Sequence, residues 1–271
     1  MRVALAALAL LAALPATATA SDPVEIGTGE RRLAAALFRP PGPAPVPVVV
    51  AMHGCAGLRD SAGHLQAHWR QWADILVGHG YAVLFPDSFG SRGLGAQCRV
   101  RNAPLQRERI ADIRAARLWL LAQDWVQRDR LTLLGWSHGG ASVLWAARPQ
   151  VAPHDGQPDF RAAIAFYPDC KRLADAAWSA RMPTLVLIGA ADDWTPARPC
   201  EQMIAGAQGR SARTAMVSYP AVHHQFDHLG LPLRAAHGLA FTADNSGRAH
   251  TGSDPEARED AIRRTLEWLA R

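Results

Sequence analysis

The amino-acid sequence predicts an α/β fold in which a mostly parallel central sheet carries helices on both faces. Short apolar runs rich in β-branched residues alternate along the chain with segments of helical periodicity, the pattern of an α/β protein. The 271 residues contain no linker-like stretch and no internal repeat. Their number suits one domain preceded by a short leader.

Each strand and helix can be placed from these local patterns. The expected strands are two early segments within 23–38, then 46–52, 81–85, 130–134, 161–167, 183–189 and 214–220. The expected helices are 61–78, 105–123, 141–147 and a final helix that opens at Ser253-Asp254-Pro255-Glu256, which has the pattern of a capping box. Only about 15 residues separate the end of the strand at 161–167 from Pro183. That is too short for a large cap domain.

The segment Gly135-Trp136-Ser137-His138-Gly139 is the most informative motif in the chain. A strand-like run precedes it and a helix-like run follows it, which is the context of a nucleophile elbow. The glycines suit a turn in which flanking side chains would collide with neighbouring backbone. The chain has eleven serines and 22 glycines, so only roughly 0.07 chance matches are expected. Ser137 is therefore the candidate nucleophile.

A candidate acid and a candidate base follow Ser137 in the order that this arrangement uses. Asp192 and Asp193 come just after one expected strand, and His223 and His224 come just after the next. Loops at the carboxyl ends of parallel strands meet in the crevice where such sheets bind ligands. A histidine there can take the serine proton while a carboxylate orients it and stabilises the imidazolium.

A loop after an earlier strand completes the expected machinery. The strand at 46–52 runs directly into His53-Gly54-Cys55-Ala56-Gly57. Acyl transfer needs backbone N–H groups aimed at the developing oxyanion, one from the residue after the nucleophile and one from such a loop. We expect these groups to be the N–H of His138 and that of Cys55, and the side chain of His53 to be structural.

Together these motifs resemble the α/β-hydrolase superfamily and, within it, the dienelactone-hydrolase-like group. The matching stretches spread over roughly residues 45–230 and are His53–Leu58, Pro86–Gly90, Gly135–Gly140, Gly189–Pro196 and Tyr219–Asp227. The resemblance implies an α/β-hydrolase fold without a large cap. It selects Asp192, three positions after Gly189, as the acid, and His224, two positions before Phe226, as the base.

The elbow departs from the family pattern at one position. Dienelactone hydrolase itself has a cysteine there, whereas this chain has Ser137. A serine nucleophile fits general esterase chemistry, so the dienelactone substrate does not follow from the resemblance.

Residues 1–20 have the three parts of a secretory signal peptide. Arg2 supplies the positive start, 3–14 the apolar core and Ala18-Thr19-Ala20 the cleavage site. The apolar core is too short for a permanent membrane anchor, although an uncleaved anchor is the alternative. We therefore expect a signal peptide at 1–20, a single hydrolase domain at 21–271 and a periplasmic or secreted protein.

An exported chain with four cysteines is expected to form disulfides. Cys170 and Cys200 follow adjacent core strands, and Cys55 and Cys98 follow strands on the other side of the elbow. Loops at neighbouring strand ends lie side by side, so the expected pairs are Cys170–Cys200 and Cys55–Cys98. Four buried free thiols are the alternative.

Charge and composition exclude several other classes. The net charge of +5 comes almost entirely from arginine, and no nucleic-acid-binding motif accompanies it. The arginines at 99, 101, 107, 109, 114 and 117 alternate with acids, as on a solvated helix face. His64 and His68 are four residues apart but lack the intervening glutamate of a metalloprotease. We therefore expect no metal, no cofactor and no nucleic-acid partner.

The expected function is a secreted serine hydrolase that cleaves carboxylic esters, small or polymeric, through an acyl-enzyme. A serine peptidase, lipase or acyltransferase could use the same triad. The alternative from a different class is a non-catalytic binding module. Folding alone does not require a nucleophile, an acid, a base and an oxyanion loop together, which argues against this alternative. The loop of about 25 residues after His224 is expected to shape the acyl or alcohol pocket. The oligomeric state is open.

Overall fold

The computed structural model of the protein describes residues 21–27, 32–101 and 105–271. Residues 1–20, expected to be a signal peptide, lie outside these ranges. The strands are β1 Asp22–Ile26, β2 Leu33–Phe38, β3 Val46–Met52, β4 Ala82–Pro86, β5 Val126–Trp136, β6 Ala162–Phe166, β7 Thr184–Gly189, β8 Thr214–Tyr219, β9 Arg234–His237 and β10 Arg248–Thr251. The α-helices are α1 Ala67–Gly78, α2 Leu105–Leu121, α3 His138–Ala146, α4 Lys171–Asp175, α5 Ala197–Gly206 and α6 Pro255–Ala270.

Eight strands form one sheet in the order β1-β2-β4-β3-β5-β6-β7-β8. The strands β1 and β2 are antiparallel to their neighbours, and all the pairings from β4 to β8 are parallel. Every residue of β4, β6 and β7 is buried. This explains why these strands are continuous apolar runs rather than alternating ones. The expected α/β fold with a mostly parallel sheet is confirmed.

Two consecutive residues of β5 show that helices cover both faces of the sheet. A Cβ atom on Gly135 would lie 2.5 Å from the carbonyl oxygen of Gly139 in α3. The next side chain, Trp136, instead contacts Trp72 of α1, with ring centroids 5.3 Å apart. Because successive side chains of a strand point to opposite faces, α1 and α3 lie on opposite sides of the sheet.

The first helix is shorter than the sequence predicts. It begins at Ala67 rather than near residue 61. The preceding residues form a loop closed by a bridge between Arg59 and Leu65. The Asp60 carboxylate accepts two backbone N–H groups of this loop. Such local side-chain hydrogen bonds compete with a helix, which explains the later start.

The final helix begins one residue later than the expected capping box implies. Its N-cap is Asp254, whose carboxylate accepts the N–H of Ala257 at 2.9 Å. The hydroxyl of Ser253 instead accepts the N–H of Leu231 and donates to the carbonyl oxygen of the same residue. Pro255 occupies the first helical position, where a missing N–H costs nothing.

The segment after His224 contains a β-hairpin that the sequence analysis did not predict. Strands β9 and β10 pair antiparallel, with Arg234 opposite Thr251 and His237 opposite Arg248. The tip of the hairpin crosses between two loops at the carboxyl edge of the sheet. The backbone N–H of Ala240 donates to the carbonyl oxygen of Cys98 at 2.9 Å, and that of Ala243 donates to the carbonyl oxygen of Asp193 at 3.1 Å.

The segment between β6 and β7 carries only the short helix α4, so the fold has no large cap there, as expected. Within the described ranges, no helix combines the length and the apolar character needed to cross a bilayer.

Candidate active site

Ser137 lies at a strained turn between β5 and α3. Its backbone has φ 53° and ψ −118°, a conformation that non-glycine residues rarely adopt. The flanking glycines allow the turn to pack closely, since a Cβ on Gly139 would lie 2.0 Å from the carbonyl oxygen of Met52. This is the geometry of a nucleophile elbow, with the serine hydroxyl presented at the carboxyl edge of the sheet.

The structure brings Ser137, His224 and Asp192 into one hydrogen-bonded chain. The distance from His224 Nε2 to Ser137 Oγ is 3.0 Å, and that from His224 Nδ1 to Asp192 Oδ2 is 2.7 Å. His224 is 1% exposed and Asp192 is 3% exposed. Because the carboxylate accepts a hydrogen bond from Nδ1–H, the lone pair of Nε2 faces the serine hydroxyl. This arrangement can deprotonate the serine during attack on a carbonyl.

Backbone N–H groups hold the Asp192 carboxylate in place. Its Oδ1 accepts the N–H of Trp194 at 2.9 Å and that of Thr195 at 2.8 Å. The hydroxyl of Thr195 lies 3.0 Å from the carbonyl oxygen of Tyr167 and 3.0 Å from His224 Nδ1. Thr195 therefore links the acid loop to the end of β6 and to the base. This role of Thr195 was not predicted from the sequence, where its only signal is a threonine three residues after the acid.

The neighbouring residues Asp193 and His223 do not join this chain. The Asp193 carboxylate pairs with His250 of β10, with 2.7 Å between His250 Nδ1 and Asp193 Oδ2. The ring atom Nδ1 of His223 is buried and has no hydrogen-bond partner in the described part of the chain. The choice of Asp192 and His224 over their neighbours therefore agrees with the geometry.

The backbone N–H groups of Cys55 and His138 are the candidate oxyanion donors. Within the described ranges, neither the N–H of Cys55 nor that of His138 donates a hydrogen bond. The loop after β3 lies against the elbow, since a Cβ on Gly54 would lie 3.7 Å from the Cβ of Ser137. The Cys55 carbonyl accepts the N–H of Gln97 at 2.7 Å. These contacts place the loop that carries Cys55 beside the elbow that carries His138.

Arg109 joins the two segments that carry these donors. One guanidinium nitrogen donates to the carbonyl oxygen of His53 at 2.6 Å, and the other donates to Nδ1 of His138 at 2.7 Å. Burial and the charge of Arg109 lower the pKa of His138 to about 3, so its imidazole is neutral and accepts this bond. Burial lowers the pKa of Arg109 to about 9, and the guanidinium remains charged at neutral pH.

The prediction that this arginine run forms a solvated helix face was wrong at two positions. Arg109 is 0% exposed and Arg117 is 2% exposed. Arg117 pairs with both carboxylate oxygens of Asp155, at 2.8 and 2.9 Å. Both arginines bond to groups distant in sequence, and the local charge alternation carries no signal of those partners. The side chain of His53, expected to be structural, is fully buried, and its Nδ1 lies 2.9 Å from the carbonyl oxygen of Gly54.

Asp227 is a buried carboxylate that lies behind the elbow. It accepts hydrogen bonds from the indole N–H groups of Trp72 and Trp136, both at 2.8 Å, and from the hydroxyl of Tyr167 at 2.7 Å. Burial and the charge of Asp227 raise the pKa of Tyr167 well above its ordinary value, so the phenol remains a donor. The ring of Tyr167 also packs on His224, with centroids 4.5 Å apart.

The structure contains the two disulfides predicted from the sequence. Cys55 bonds to Cys98, with Cα atoms 4.9 Å apart, and Cys170 bonds to Cys200, with Cα atoms 5.0 Å apart. The first disulfide tethers the loop that carries one of the candidate oxyanion donors. The second connects the N-cap of α4 to α5.

The fold and this constellation of serine, histidine and aspartate define an α/β-hydrolase. The model of the dienelactone hydrolase family matches residues 33–271. The chain therefore belongs to the dienelactone hydrolase family, as its motifs had suggested.

Two curated relatives match only parts of the chain. Dipeptidyl aminopeptidase BIII from Pseudoxanthomonas mexicana is 33% identical over 102 residues, which are 37% of this chain and 14% of that protein. An uncharacterized protein of Mycobacterium tuberculosis (strain H37Rv) is 30% identical over 179 residues, 59% of this chain and 58% of that protein. The chain thus spans 14% and 58% of the lengths of these relatives, less than two thirds in both cases.

Solved structures match almost the whole chain. A putative dienelactone hydrolase from Klebsiella pneumoniae has a TM-score of 0.69 at 21% identity, covering 94% of this chain and 100% of that chain. A dienelactone hydrolase-like promiscuous phosphotriesterase from metagenomic libraries has a TM-score of 0.71 at 19% identity, covering 94% and 98%. At these identities the similarity shows the fold alone.

Proposed function

We propose that this family member is a serine hydrolase that cleaves carboxylic esters through an acyl-enzyme. Ser137 is the nucleophile, His224 the general base and Asp192 the orienting acid. The observation that carries the proposal is the continuous hydrogen-bonded chain from Ser137 Oγ through His224 to Asp192, at 3.0 and 2.7 Å.

In the acylation half-reaction, Ser137 Oγ attacks the ester carbonyl while His224 Nε2 takes the hydroxyl proton. The N–H groups of Cys55 and His138 donate to the oxyanion of the tetrahedral intermediate, where preorganised donors stabilise developing charge. Asp192 stabilises the imidazolium. His224 then gives its proton to the departing alkoxide, which leaves as an alcohol and yields the acyl-enzyme.

In the deacylation half-reaction, a water molecule repeats the sequence. His224 takes a proton from the water as its oxygen attacks the acyl carbonyl, and returns the proton to Ser137 Oγ when the tetrahedral intermediate collapses. The carboxylic acid is released and the free serine is regenerated. This pathway needs no cofactor.

A serine peptidase is the second candidate, because dipeptidyl aminopeptidase BIII is similar over 102 residues. A peptidase of that kind must bind a protonated α-amine, which calls for an available carboxylate near the nucleophile. The carboxylate beside the triad, Asp193, is already paired with His250. This pairing favours the ester over a dipeptide as substrate.

We further propose that residues 1–20 are an export signal, that 21–271 form one hydrolase domain, and that the protein acts in the periplasm or outside the cell. The two disulfides support this location, because such bonds persist in oxidising compartments and are rare in the cytosol.

Labelling by a fluorophosphonate probe tests the proposed function. The wild-type protein should be labelled, and the Ser137→Ala protein should not. Both Ser137→Ala and His224→Ala should lower hydrolysis of short p-nitrophenyl esters by at least about 10⁴-fold, because triad members act as a unit.

Ser142→Ala is the matched control. Ser142 lies on α3, and its hydroxyl donates to the carbonyl oxygen of His138 rather than to the triad. This variant should still be labelled and active. Labelling of the Ser137→Ala protein would contradict the proposal. A panel of p-nitrophenyl esters and dipeptidyl p-nitroanilides then separates esterase from peptidase activity.

A further inference from the structure

Three side chains beside the triad form a second constellation that hydrolysis does not use. They are Asp193, which follows the triad acid, His223, which precedes the triad base, and His250 of β10. One carboxylate oxygen and one ring nitrogen from each histidine lie within 4.8 Å of one another. The three residues come from separate segments of the chain, so the tertiary structure alone brings them together.

Existing contacts already orient this cluster. The backbone N–H of His250 donates to Asp193 Oδ1 at 2.7 Å, which fixes the carboxylate, and His250 Nδ1 lies 2.7 Å from Oδ2. The rings of His223 and His250 have centroids 5.4 Å apart and planes at 47°. One nitrogen of each ring lies within 4.8 Å of the other and of an Asp193 oxygen, close enough for one ion to contact all three side chains after small adjustments.

His223 has a polar atom that nothing in the described part of the chain satisfies. Its Nδ1 is buried and has no hydrogen-bond partner. A buried ring nitrogen without a partner is unfavourable. A cation bound between the three side chains would engage this histidine.

We propose that Asp193, His223 and His250 bind a Zn²⁺ ion. Two imidazoles and one carboxylate are a zinc ligand set, whereas Mg²⁺ and Ca²⁺ prefer oxygen ligands alone. The side chains of His250 and Asp193 are 48% and 41% exposed, so the ion can reach the site and a water molecule can complete a tetrahedron. All four cysteines are in disulfides, so no thiolate of the chain competes for the ion.

A second group of possible ligands, His68, Asp227 and His228, is less suited to a metal. Asp227 is fully buried and accepts three hydrogen bonds from Trp72, Trp136 and Tyr167, none of which is a metal ligand. At Asp193, by contrast, the partner of Oδ2 is His250, which is itself one of the proposed ligands. The rings of His68 and His228 are stacked 3.7 Å apart at 8°, so their nitrogen lone pairs lie in two parallel planes.

The zinc site would tie the hairpin to the two loops of the triad. Asp193 and His223 are the chain neighbours of Asp192 and His224, and His250 precedes Thr251, which forms a β-bridge to His224. An ion bound by all three segments restrains the acid loop, the base loop and the hairpin at once. Zn²⁺ is therefore expected to raise the melting temperature, since a ligand that binds only the folded state stabilises it.

Calorimetric titration of the chelator-treated protein with ZnCl₂ tests this proposal. We expect one Zn²⁺ per chain with micromolar affinity. His223→Ala and His250→Ala should each weaken binding by more than about tenfold. The matched control is His237→Ala, an exposed histidine on the neighbouring strand β9, which should bind zinc as the wild type does. Zn²⁺ should raise the melting temperatures of the wild type and of His237→Ala by similar amounts, and those of His223→Ala and His250→Ala by less.

Two results would overturn the proposal: no binding by the wild type at millimolar ZnCl₂, or binding that both histidine substitutions leave unchanged. If either variant fails to fold, anomalous diffraction at the zinc edge from wild-type crystals soaked in ZnCl₂ locates the ion directly. Anomalous density at other positions and none between these three side chains would also overturn the proposal. Ser137→Ala protein should bind zinc normally, so the outcome is independent of whether the protein hydrolyses esters.

Discussion

Trp136 donates its indole N–H to Asp227 at 2.8 Å, which anchors the residue before the candidate nucleophile to a carboxylate just after the candidate base. The contact crosses 91 positions of the chain. Trp72 and Tyr167 donate to the same carboxylate, so one buried group holds α1, β5 and the end of β6 together.

Asp227→Ala should therefore destabilise the protein strongly. The substitution leaves three buried donors without an acceptor, and each such donor costs about 1–3 kcal/mol. The free energy of unfolding, measured by urea titration, should fall by about 3 kcal/mol or more. Asp244→Ala, at the exposed tip of the hairpin, should cost about 1 kcal/mol or less. Equal stability of the two variants would show that Asp227 is not the anchor.

Asp192→Asn and Asp193→Asn should separate the two adjacent carboxylates. An asparagine at position 192 cannot hold His224 in the tautomer that accepts the serine proton, and kcat should fall on the order of 10⁴-fold, as for the same change in a well-studied triad. The Asp193→Asn substitution weakens the pairing with His250, which lies outside the triad, and should lower kcat far less. Steady-state kinetics with one ester compares the kcat values of the two variants. The buffer contains a chelator so that no metal is bound at Asp193. A larger loss for Asp193→Asn would show that Asp192 is the wrong acid.

The two disulfides should differ in their effect on catalysis. They span similar lengths of chain, 43 and 30 residues, so removing either should lower stability by a similar amount, about 2–4 kcal/mol. Only Cys55 carries an N–H expected to bind the oxyanion. The double variant Cys55→Ala/Cys98→Ala should therefore also lose kcat at temperatures where it is folded. Cys170→Ala/Cys200→Ala should keep the kcat of the wild type. Equal kcat values would remove the link between the first disulfide and the oxyanion loop.

Stability should fall as the pH drops below 6.5, because several histidines are buried in the neutral form. Burial lowers the pKa of His68 to about 3, and the charges of His228 and Arg258 add to this effect while Asp227 opposes it. Burial also lowers the pKa of His138 to about 3. Between about pH 3 and 6.5 the unfolded chain binds more protons than the folded one, so the free energy of unfolding rises with pH over this window and levels off above it.

The expected size of this effect can be measured with urea titrations at pH 7.5, 6 and 5. Acidification to pH 5 should lower the free energy of unfolding by up to about 2 kcal/mol for each of His68 and His138, the histidines whose pKa is lowered to about 3. His68→Gln removes one of the groups and should flatten the dependence. A free energy of unfolding that does not change between pH 7.5 and 5 would contradict this account.

Much of the architecture could be predicted from the sequence because its signals are local. The apolar run at 46–52 coincides with β3, and the strand–turn–helix pattern around Ser137 coincides with the elbow. Buried parallel strands are continuous apolar runs, and a tight turn requires glycine, so both features are written in consecutive residues. The order of serine, aspartate and histidine also follows from the chain alone.

Only the tertiary structure decided which partners these residues meet. Ser137 and His224 are 87 positions apart, yet their side chains lie within 3.0 Å. The buried role of Arg109 and the pairing of Asp193 with His250 depend on contacts of the same long-range kind. A charged side chain has the same local pattern whether it is solvated or paired with a distant group. Its environment is set by the packing of segments that the sequence does not place side by side.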